Sequence, residues 1–439
     1  MTATIAQVFA RLTSSKDREY RRWIKKYDRP LNEDKVAELK AEISKFTRQP
    51  LISVLMPVYN SPEIFLRKAI ESVRQQVYSN WELCIADDRS THGHVRRILN
   101  EYGQVDCRIK AIFREKNGHI SAATNSALSL ANGEFVALLD HDDELHRLAL
   151  FHVIREINEH PDVCLIYSDE DKIDGNGKRY DPYFKPDWNP DLFLSQNFIS
   201  HLGVYRTDLV RSVGGFREGF EGSQDYDLAL CCIEQIDAHQ IRHTPYVLYH
   251  WRAIEGSTSL LSGEKSYAVI AARKAIASRL ERTGQSADVV AGWRFYHRVR
   301  YHVTDTPRVQ IISFGKDEAK DVLVKHLNAI GSEYDLLLTN LVIDSGQNFA
   351  DALNKATEES KSNLILFLNN SLRPTDSVWL SELISHALRP CVGIVSGKIV
   401  DKRNKILHAG LSITLEREKN EMLVRSNFAG FNDLLPGPC

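Results

Sequence analysis

Asp140 and Asp142 stand two residues apart where the apolar run Phe135-Val136-Ala137-Leu138-Leu139 ends. In an extended strand, residues i and i+2 share a face, so both carboxylates can reach one ligand. Such oxygens suit a hard cation, Mg2+ or Mn2+, which takes few protein ligands and fills its sphere with water and phosphate oxygens. An acidic helix start is the competing account, because a helical pattern over Leu145 to Ile157 follows directly. Asp87-Asp88-Arg89-Ser90 closes a second apolar run. A carboxylate there can accept the imide N–H of a uracil or thymine, and an Asx turn explains the cluster equally well. Asn117-Gly118-His119 through Asn125 joins a glycine to small residues opening a helix, which lets a diphosphate or sugar come close to the backbone. Asp225, just ahead of Leu228-Ala229-Leu230, is placed to take a proton from a hydroxyl or to sit on a helix dipole. Tyr249-His250-Trp251-Arg252, ahead of Gly256-Ser257-Thr258-Ser259, offers an imidazole to a metal and a guanidinium to a diphosphate.

These residues need a frame that brings them together. Leu51 to Met56, Trp81 to Ala86, Arg108 to Phe113 and Glu134 to Leu139 have the length and composition of buried strands. Between them Leu66, Ile70, Val73 and Val77 recur at helical spacing, after Ser61 as an N-cap and Pro62 in the first turn. A second helix is expected from Ile120 to Leu130. Strand–helix alternation of this kind specifies an α/β fold with a mainly parallel sheet and helices on both faces. Ligands bind such sheets beyond the carboxyl ends of the strands, where three of the polar clusters fall.

The chain has 439 residues, a formal charge of −2, 43% hydrophobic and 26% charged residues. That balance fits two soluble domains and carries no basic excess of the kind nucleic-acid binding needs. The 7 cysteines are odd in number and lack C-x-x-C spacing, which argues against a disulfide framework or a zinc site and for a reducing cytoplasm. Met1 to Ala10 has no signal-peptide pattern, and no run approaches the roughly 20 apolar residues of a membrane span. Residues 1–48 are helical in pattern, with Arg18, Arg21, Arg22, Lys25 and Lys26 around Tyr20, Trp23 and Tyr27. This is either a solvated helix packed by its aromatics or a segment resting on an anionic membrane surface.

Pro57-Val58-Tyr59-Asn60, Asp87-Asp88-Arg89-Ser90, Asn117 to Asn125, Asp140-His141-Asp142-Asp143 and Gln224-Asp225 together resemble the motif series of family 2 glycosyltransferases with the GT-A fold. Tyr167 to Lys172, Phe184 to Trp188 and Gly214-Gly215-Phe216 are similar to bacterial enzymes of O-antigen and related surface-polysaccharide assembly. The resemblance covers Pro50 to Ser259. It implies a Rossmann-like GT-A catalytic domain over 49–260. Asp87 or Asp88 would contact the nucleobase with Pro57 and Tyr59 beside it, and Asn117 and Asn125 would line the donor. Asp140 would face ribose or metal, Asp142 and His250 would hold the metal, and Arg252 the diphosphate. Asp225 matches the catalytic base, although the usual Glu-Asp pair is Gln224-Asp225 here. Trp188, Asn197, His201 and Gln224 match the region that shapes the sugar and acceptor pocket. The implied activity is an inverting, Mn2+- or Mg2+-dependent transfer from a UDP-sugar or dTDP-rhamnose to a lipid-linked or oligosaccharide acceptor. Its place would be the cytoplasm, peripheral to the inner membrane.

Beyond a helical linker expected at 261–305, Pro307 to Ser313 and Asn348 to Asn370 echo the first domain with a period of about 250 residues. The echo reads Leu368-Asn369-Asn370-Ser371 where the first copy has Leu139-Asp140-His141-Asp142. Residues 306–439 are therefore expected to form a degenerate, truncated GT-A-like domain without catalysis, serving as a scaffold, a homodimer contact or a glycan platform. Two other functions compete: a non-catalytic glycan- or nucleotide-binding protein, and a sugar-phosphate nucleotidyltransferase. The latter expects a Gly-rich basic phosphate loop where this chain has Pro57 to Pro62.

Overall fold

The run at Leu51 has no polar face, and such a strand is stable only where both faces are covered. In the computed structural model it becomes β1 (Ile52–Val58), buried along its whole length. It is followed by β2 (Trp81–Asp87), β3 (Ile109–Phe113) and β4 (Phe135–Leu138). The four lie parallel in the order β3-β2-β1-β4. The structure describes residues 17–253, 266–292, 295–304, 306–315, 324, 325, 327, 334–341, 348–409, 411–416 and 421–426.

The helix Glu63–Arg74 buries Leu66, Ile70 and Val73 completely against this sheet. Each such side chain contributes about 1.5–3 kcal/mol relative to exposure. Two details depart from the sequence reading. The helix stops at Arg74, so Val77 packs with Leu39 and Phe151 in a separate small cluster. Ser61 does not cap the helix; its Oγ donates to the carbonyl of His141 at 3.3 Å, tying this loop to the Asp140–Asp142 segment.

Past β4 the sheet continues with strands that the alternation did not reveal. These are β5 (Glu144–Leu145), β6 (Leu165–Ile173), β7 (Arg179–Tyr183), β8 (Gly203–Arg206) and β9 (Ile241–Arg252). The full order is β3-β2-β1-β4-β8-β6-β9-β5, with β7 paired to β6. β8 runs antiparallel between β4 and β6, while β9 runs parallel to β6. A parallel, Rossmann-like half thus joins a mixed half in one sheet, the α/β arrangement expected of a GT-A domain. Leu145 belongs to β5 and the next helix begins at Ala149, so the Asp140–Asp142 carboxylates do not cap a helix.

Two helices, at 17–27 and Glu33–Ile43, precede the sheet. The region expected as a linker is differently built. The helix Ser266–Arg282 is bound to the helix Gln224–Ile233 and its approach: Ser223 donates to Ala268 O at 2.9 Å, Arg217 to Ser278 at 3.3 Å, and Arg282 pairs with Glu234 at 2.6 Å. It belongs to the first compact unit, which takes in residues through Thr283. β10 (Ala287–Ala291) and β11 (His297–Tyr301) then pair as a ribbon where helix was expected.

The second unit contains β12 (Arg308–Phe314), β13 (Asp335–Leu341) and β14 (Leu364–Asn369), all parallel, in the order β13-β12-β14. That repeats the β2-β1-β4 arrangement of the first unit, as the internal echo requires. Its core gathers Val309, Ile311, Leu380 and Ile384.

Candidate active site

Parallel pairing places the strand ends side by side. Val58 lies opposite Asp87, and the Asp88 N–H donates to Val58 O at 2.8 Å. On the other flank the Leu139 N–H donates to Leu55 O at 3.0 Å, which starts the Asp140–Asp143 segment at the same edge. Asn60, at φ 49°, clips the first two loops together: its Oδ1 accepts from the N–H groups of Thr91 (2.8 Å) and His92 (3.2 Å). Tyr59 beside it is exposed, whereas Pro57 is buried in β1.

The two acidic residues ending β2 differ. Asp88 is buried and fully occupied, accepting from Arg114 Nε at 2.8 Å and from Gly118 N–H at 3.0 Å. Asp87 Oδ1 accepts from the Ser90 N–H at 3.0 Å, and Oδ2 has no partner among the described residues. Gly118 is required by this pairing, since a Cβ there would lie 2.5 Å from Arg114 Nη2. Asn117 is exposed and donates to Asp88 O at 3.2 Å. Asn125 has another task than the donor contact expected of it. Its amide donates to Phe216 O at 2.7 Å and accepts from Phe216 N–H at 2.9 Å, clamping the Gly214-Gly215-Phe216 turn.

The Asp140–Asp143 segment is held from β9. Tyr249 donates its hydroxyl proton to Asp143 at 2.6 Å and accepts the Asp140 N–H at 3.2 Å. Asp143 also takes the Arg252 N–H at 2.6 Å and is buried, so neither of its oxygens is free for a ligand. Burial, then the Asp142 and Asp140 carboxylates, push Asp143 well above the usual carboxylate range. Asp140 and Asp142 remain half-buried, with no Lys or Arg side chain paired to them among the described residues. Burial raises Asp140; the neighbouring His201 opposes this, and Asp142 and Asp225 add to it. Asp140, Asp143 and His201 offer ligand atoms within 4.8 Å of one another. Of those three, Asp140 and His201 are available. Uncompensated, solvent-reaching carboxylates with imidazoles at hand are a donor set that fits a divalent cation.

His250 is buried in β9, its Nδ1 2.6 Å from Asp171. Arg252, assigned from sequence to the diphosphate, is enclosed by the protein. It is completely buried, donating through Nε to Asp142 O at 2.7 Å and through Nη1 to Asp174 O at 3.2 Å, and pairing with Glu144. A guanidinium enclosed in this way braces the backbone of the acidic loop.

Asp225 sits in the first turn of the helix Gln224–Ile233, half-buried, and accepts from Asn197 Nδ2 at 2.7 Å. Burial raises its pKa; His201, the helix N–H groups and Asn197 pull it back. His201 stacks on Tyr249 with ring centroids 4.5 Å apart, and so stands by both Asp140 and Asp225. Of the four residues assigned to a sugar pocket, Asn197 and His201 reach the carboxylates. Trp188 packs on Phe193 and Phe198, and Gln224 accepts the Gly222 N–H at 2.8 Å. Gly256 to Ser259 lie outside the described residues.

Several residues behind the site had no functional reading. Asp169, Glu170 and Asp171 of β6 are buried and each is matched: Asp169 by His243 at 2.8 Å, Glu170 by Lys185 at 3.0 Å, Asp171 by His250. Lys185 also donates to the carbonyls of Ile199 and His201, fixing the backbone that carries His201. Three successive acids inside a strand are the signal that was available, because buried charges occur only with partners.

Residues 53–214 match the family described as Glycosyl transferase family 2. Over 411 residues the chain is 41% identical to the uncharacterized protein y4gI of Sinorhizobium fredii, covering 85% of this chain and 44% of that one. Over 405 residues it is 34% identical to the O-antigen biosynthesis protein RfbC of Myxococcus xanthus, covering 86% and 32%. The chain therefore spans less than half the length of these two relatives. Among solved structures it is similar to S. aureus TarS 1-349 in complex with UDP-GlcNAc, at 23% identity and a TM-score of 0.44, over 52% of this chain and 66% of that one. With its acidic strand ends on a sheet of this order, the chain carries a Glycosyl transferase family 2 domain at residues 53–214.

Proposed function

We propose that this chain transfers a sugar from a nucleotide-sugar donor to a hydroxyl of a growing bacterial surface polysaccharide, with inversion at the anomeric carbon. The observation that carries this reading is the gathering of Asp225, Asp140 and His201 beside the carboxyl ends of the parallel strands. Asp87 would accept the imide N–H of uracil or thymine through Oδ2, since Asp88 is spent on Arg114 and Gly118. Asp140, Asp142 and His250 would hold Mn2+ or Mg2+, which when bound would offset the charge of the departing diphosphate. Asp225 would take the acceptor's proton as its oxygen bonds to the anomeric carbon, while the bond to the diphosphate breaks and its electrons leave with the nucleotide. The similarity to the O-antigen biosynthesis protein RfbC supports the polysaccharide assignment. The test is incubation of the full chain with nucleotide sugars, acceptor glycan and Mn2+ or Mg2+. Metal-dependent nucleoside diphosphate release is expected. Absence of release with every donor would favour a binding protein, and pyrophosphate release from NTP and sugar phosphate a nucleotidyltransferase.

Three smaller results follow from the same geometry. Asp87→Ala is expected to raise the donor KM about tenfold, one hydrogen bond to a charged group being worth about 1.5–3 kcal/mol; equal KM values would remove Asp87 from the donor site. The second concerns pH. A base must be ionised to act, so transfer falls as pH drops through the Asp225 pKa, and burial sets that acid limb above the ordinary aspartate value of about 4. His201 counteracts the rise, so His201→Asn should move the limb to still higher pH in a kcat–pH profile. A limb that stays put or moves down would contradict this placement of His201. Third, helix 17–27 exposes Arg18, Arg21, Arg22, Lys25, Lys26 and Tyr27, and no helix among the described residues is long and apolar enough to cross a membrane. Peripheral binding to an anionic membrane predicts co-sedimentation with phosphatidylglycerol vesicles that 0.5 M salt, a concentration about threefold above physiological, abolishes; equal binding to neutral vesicles would refute it.

A further inference from the structure

Two halves of the sheet share one edge. β8 runs antiparallel to both β4 and β6, and β9 runs parallel to β6, so β6 and β9 point the same way as β1 to β4. Lys172 and Trp251, near the carboxyl ends of β6 and β9, therefore stand on the edge that carries Asp87 and Asp140. Trp251 is far from Asp87 along that edge. β9 is the fifth strand from β2 in the order β2-β1-β4-β8-β6-β9, about 24 Å away at the usual strand spacing. A nucleobase held at Asp87 leaves this end of the edge to another ligand.

Trp251 shares a strand face with Tyr249, two residues before it. Tyr249 carries the Asp140–Asp143 segment, and the His201 ring lies flat on Tyr249 while meeting Trp251 edge-on at 5.6 Å. The loop bearing His201 also holds Asp225, since Asn197 accepts the Ser200 N–H at 3.1 Å and donates to Asp225. Tyr249 is completely buried, whereas Trp251 packs against the core and stays half-buried. Its indole N–H has no hydrogen-bond partner among the described residues and is not shut away from solvent. Lys172, its neighbour across the ladder, holds Nζ 5.8 Å from the ring centre and pairs at 2.7 Å with Asp181 of β7, which is 65% exposed.

A half-open indole flanked by an ammonium and a solvent-facing carboxylate has the chemistry of a sugar subsite. The C–H face of a pyranose covers the apolar ring, and its hydroxyls find donors in the indole and Lys172 and an acceptor in Asp181. Trp188, the tryptophan assigned to this task from sequence, is packed on Phe193 and Phe198. We propose that Trp251, with Lys172 and Asp181, forms an acceptor subsite: the indole covers one face of a sugar ring in the acceptor glycan while the reacting hydroxyl reaches Asp225. The donor does not touch it. This rests on the transferase reading above, with Asp225 as the base.

The experiment uses the full chain with whichever of the UDP-sugars or dTDP-rhamnose supports release. The varied acceptor is oligosaccharide cut by mild acid from the host bacterium's surface polysaccharide. Trp251→Leu keeps the apolar packing and loses the ring face; it is expected to raise the acceptor KM about tenfold with the donor KM unchanged. Trp251→Phe restores a ring and should return most of that loss. A contact that merely holds the fold would move both KM values, so their split is the readout. Should Trp251→Leu not fold, Lys172→Ala, at a partly exposed side chain, is expected to give the same split at about threefold. An acceptor KM within about twofold of wild type in Trp251→Leu, or in Lys172→Ala where that stands in, would overturn the subsite. Equal rises of both KM values would overturn it too, and either result leaves the transferase reading in place. A wild-type chain that releases no nucleoside diphosphate with any donor would overturn the transferase reading, and the subsite with it.

Discussion

Asp225→Asn is expected to lower transfer about 10²–10⁴-fold, the range that a positioned general base contributes. The substitution preserves shape and the contact with Asn197, whose amide and the new amide can still pair. It removes only the capacity to take a proton. Donor affinity should therefore change little, because the residues proposed for the donor lie on other strand ends. The measurement is kcat and donor KM under saturating acceptor, with nucleotide binding checked separately. Near wild-type turnover by Asp225→Asn would end the assignment of Asp225 as base, and a proportional rise in donor KM would show it to be a binding residue instead.

Arg252→Met is expected to cost about 3–5 kcal/mol of stability, the penalty for breaking a buried charge pair from one side. The guanidinium is completely buried, holds Asp142 O and Asp174 O, pairs with Glu144 and lies 4.6 Å over the Phe65 ring. Methionine fills part of that volume and satisfies none of the acceptors. Because Asp142 hangs from the same guanidinium, Mn2+ affinity should fall together with the urea midpoint. Arg252→Lys should lie between, since a single ammonium cannot reproduce the fork of donors. An unfolding free energy within about 0.5 kcal/mol of wild type, the range of an ordinary surface change, would show that the brace carries no load.

The strands β1 to β4 and the helix Glu63–Arg74 were legible because their signals are local: buried runs, amphipathic spacing and an abrupt polar ending. The repeated β13-β12-β14 arrangement was legible for the same reason, through the echo of those runs. β6 was not, since Leu165–Ile173 carries Ser168, Asp169, Glu170 and Asp171 and has neither an apolar run nor clean alternation. Its acids are tolerable only because His243, Lys185, Arg179, His250 and Tyr20 arrive from elsewhere in the chain. Arg179 and Lys185 stand only 8 and 15 residues from their partners, but His243, His250 and Tyr20 are 74, 79 and 151 residues away, beyond any local pattern.

The clusters at Asp87-Asp88, Asp140-Asp142 and Asp225 could each be a turn or a helix start when taken singly. The chain by itself determined which residues stand at strand ends, and hence that acidic chemistry gathers at one edge of a parallel sheet. Only the tertiary structure decided how they divide the work. Asp88 is spent on Arg114 while Asp87 keeps an oxygen free; Asp143 and Arg252 brace while Asp140 and Asp142 stay open. The reason is physical: a side chain's type fixes what it can bond, but whether a bond remains available depends on which distant donor has already filled it.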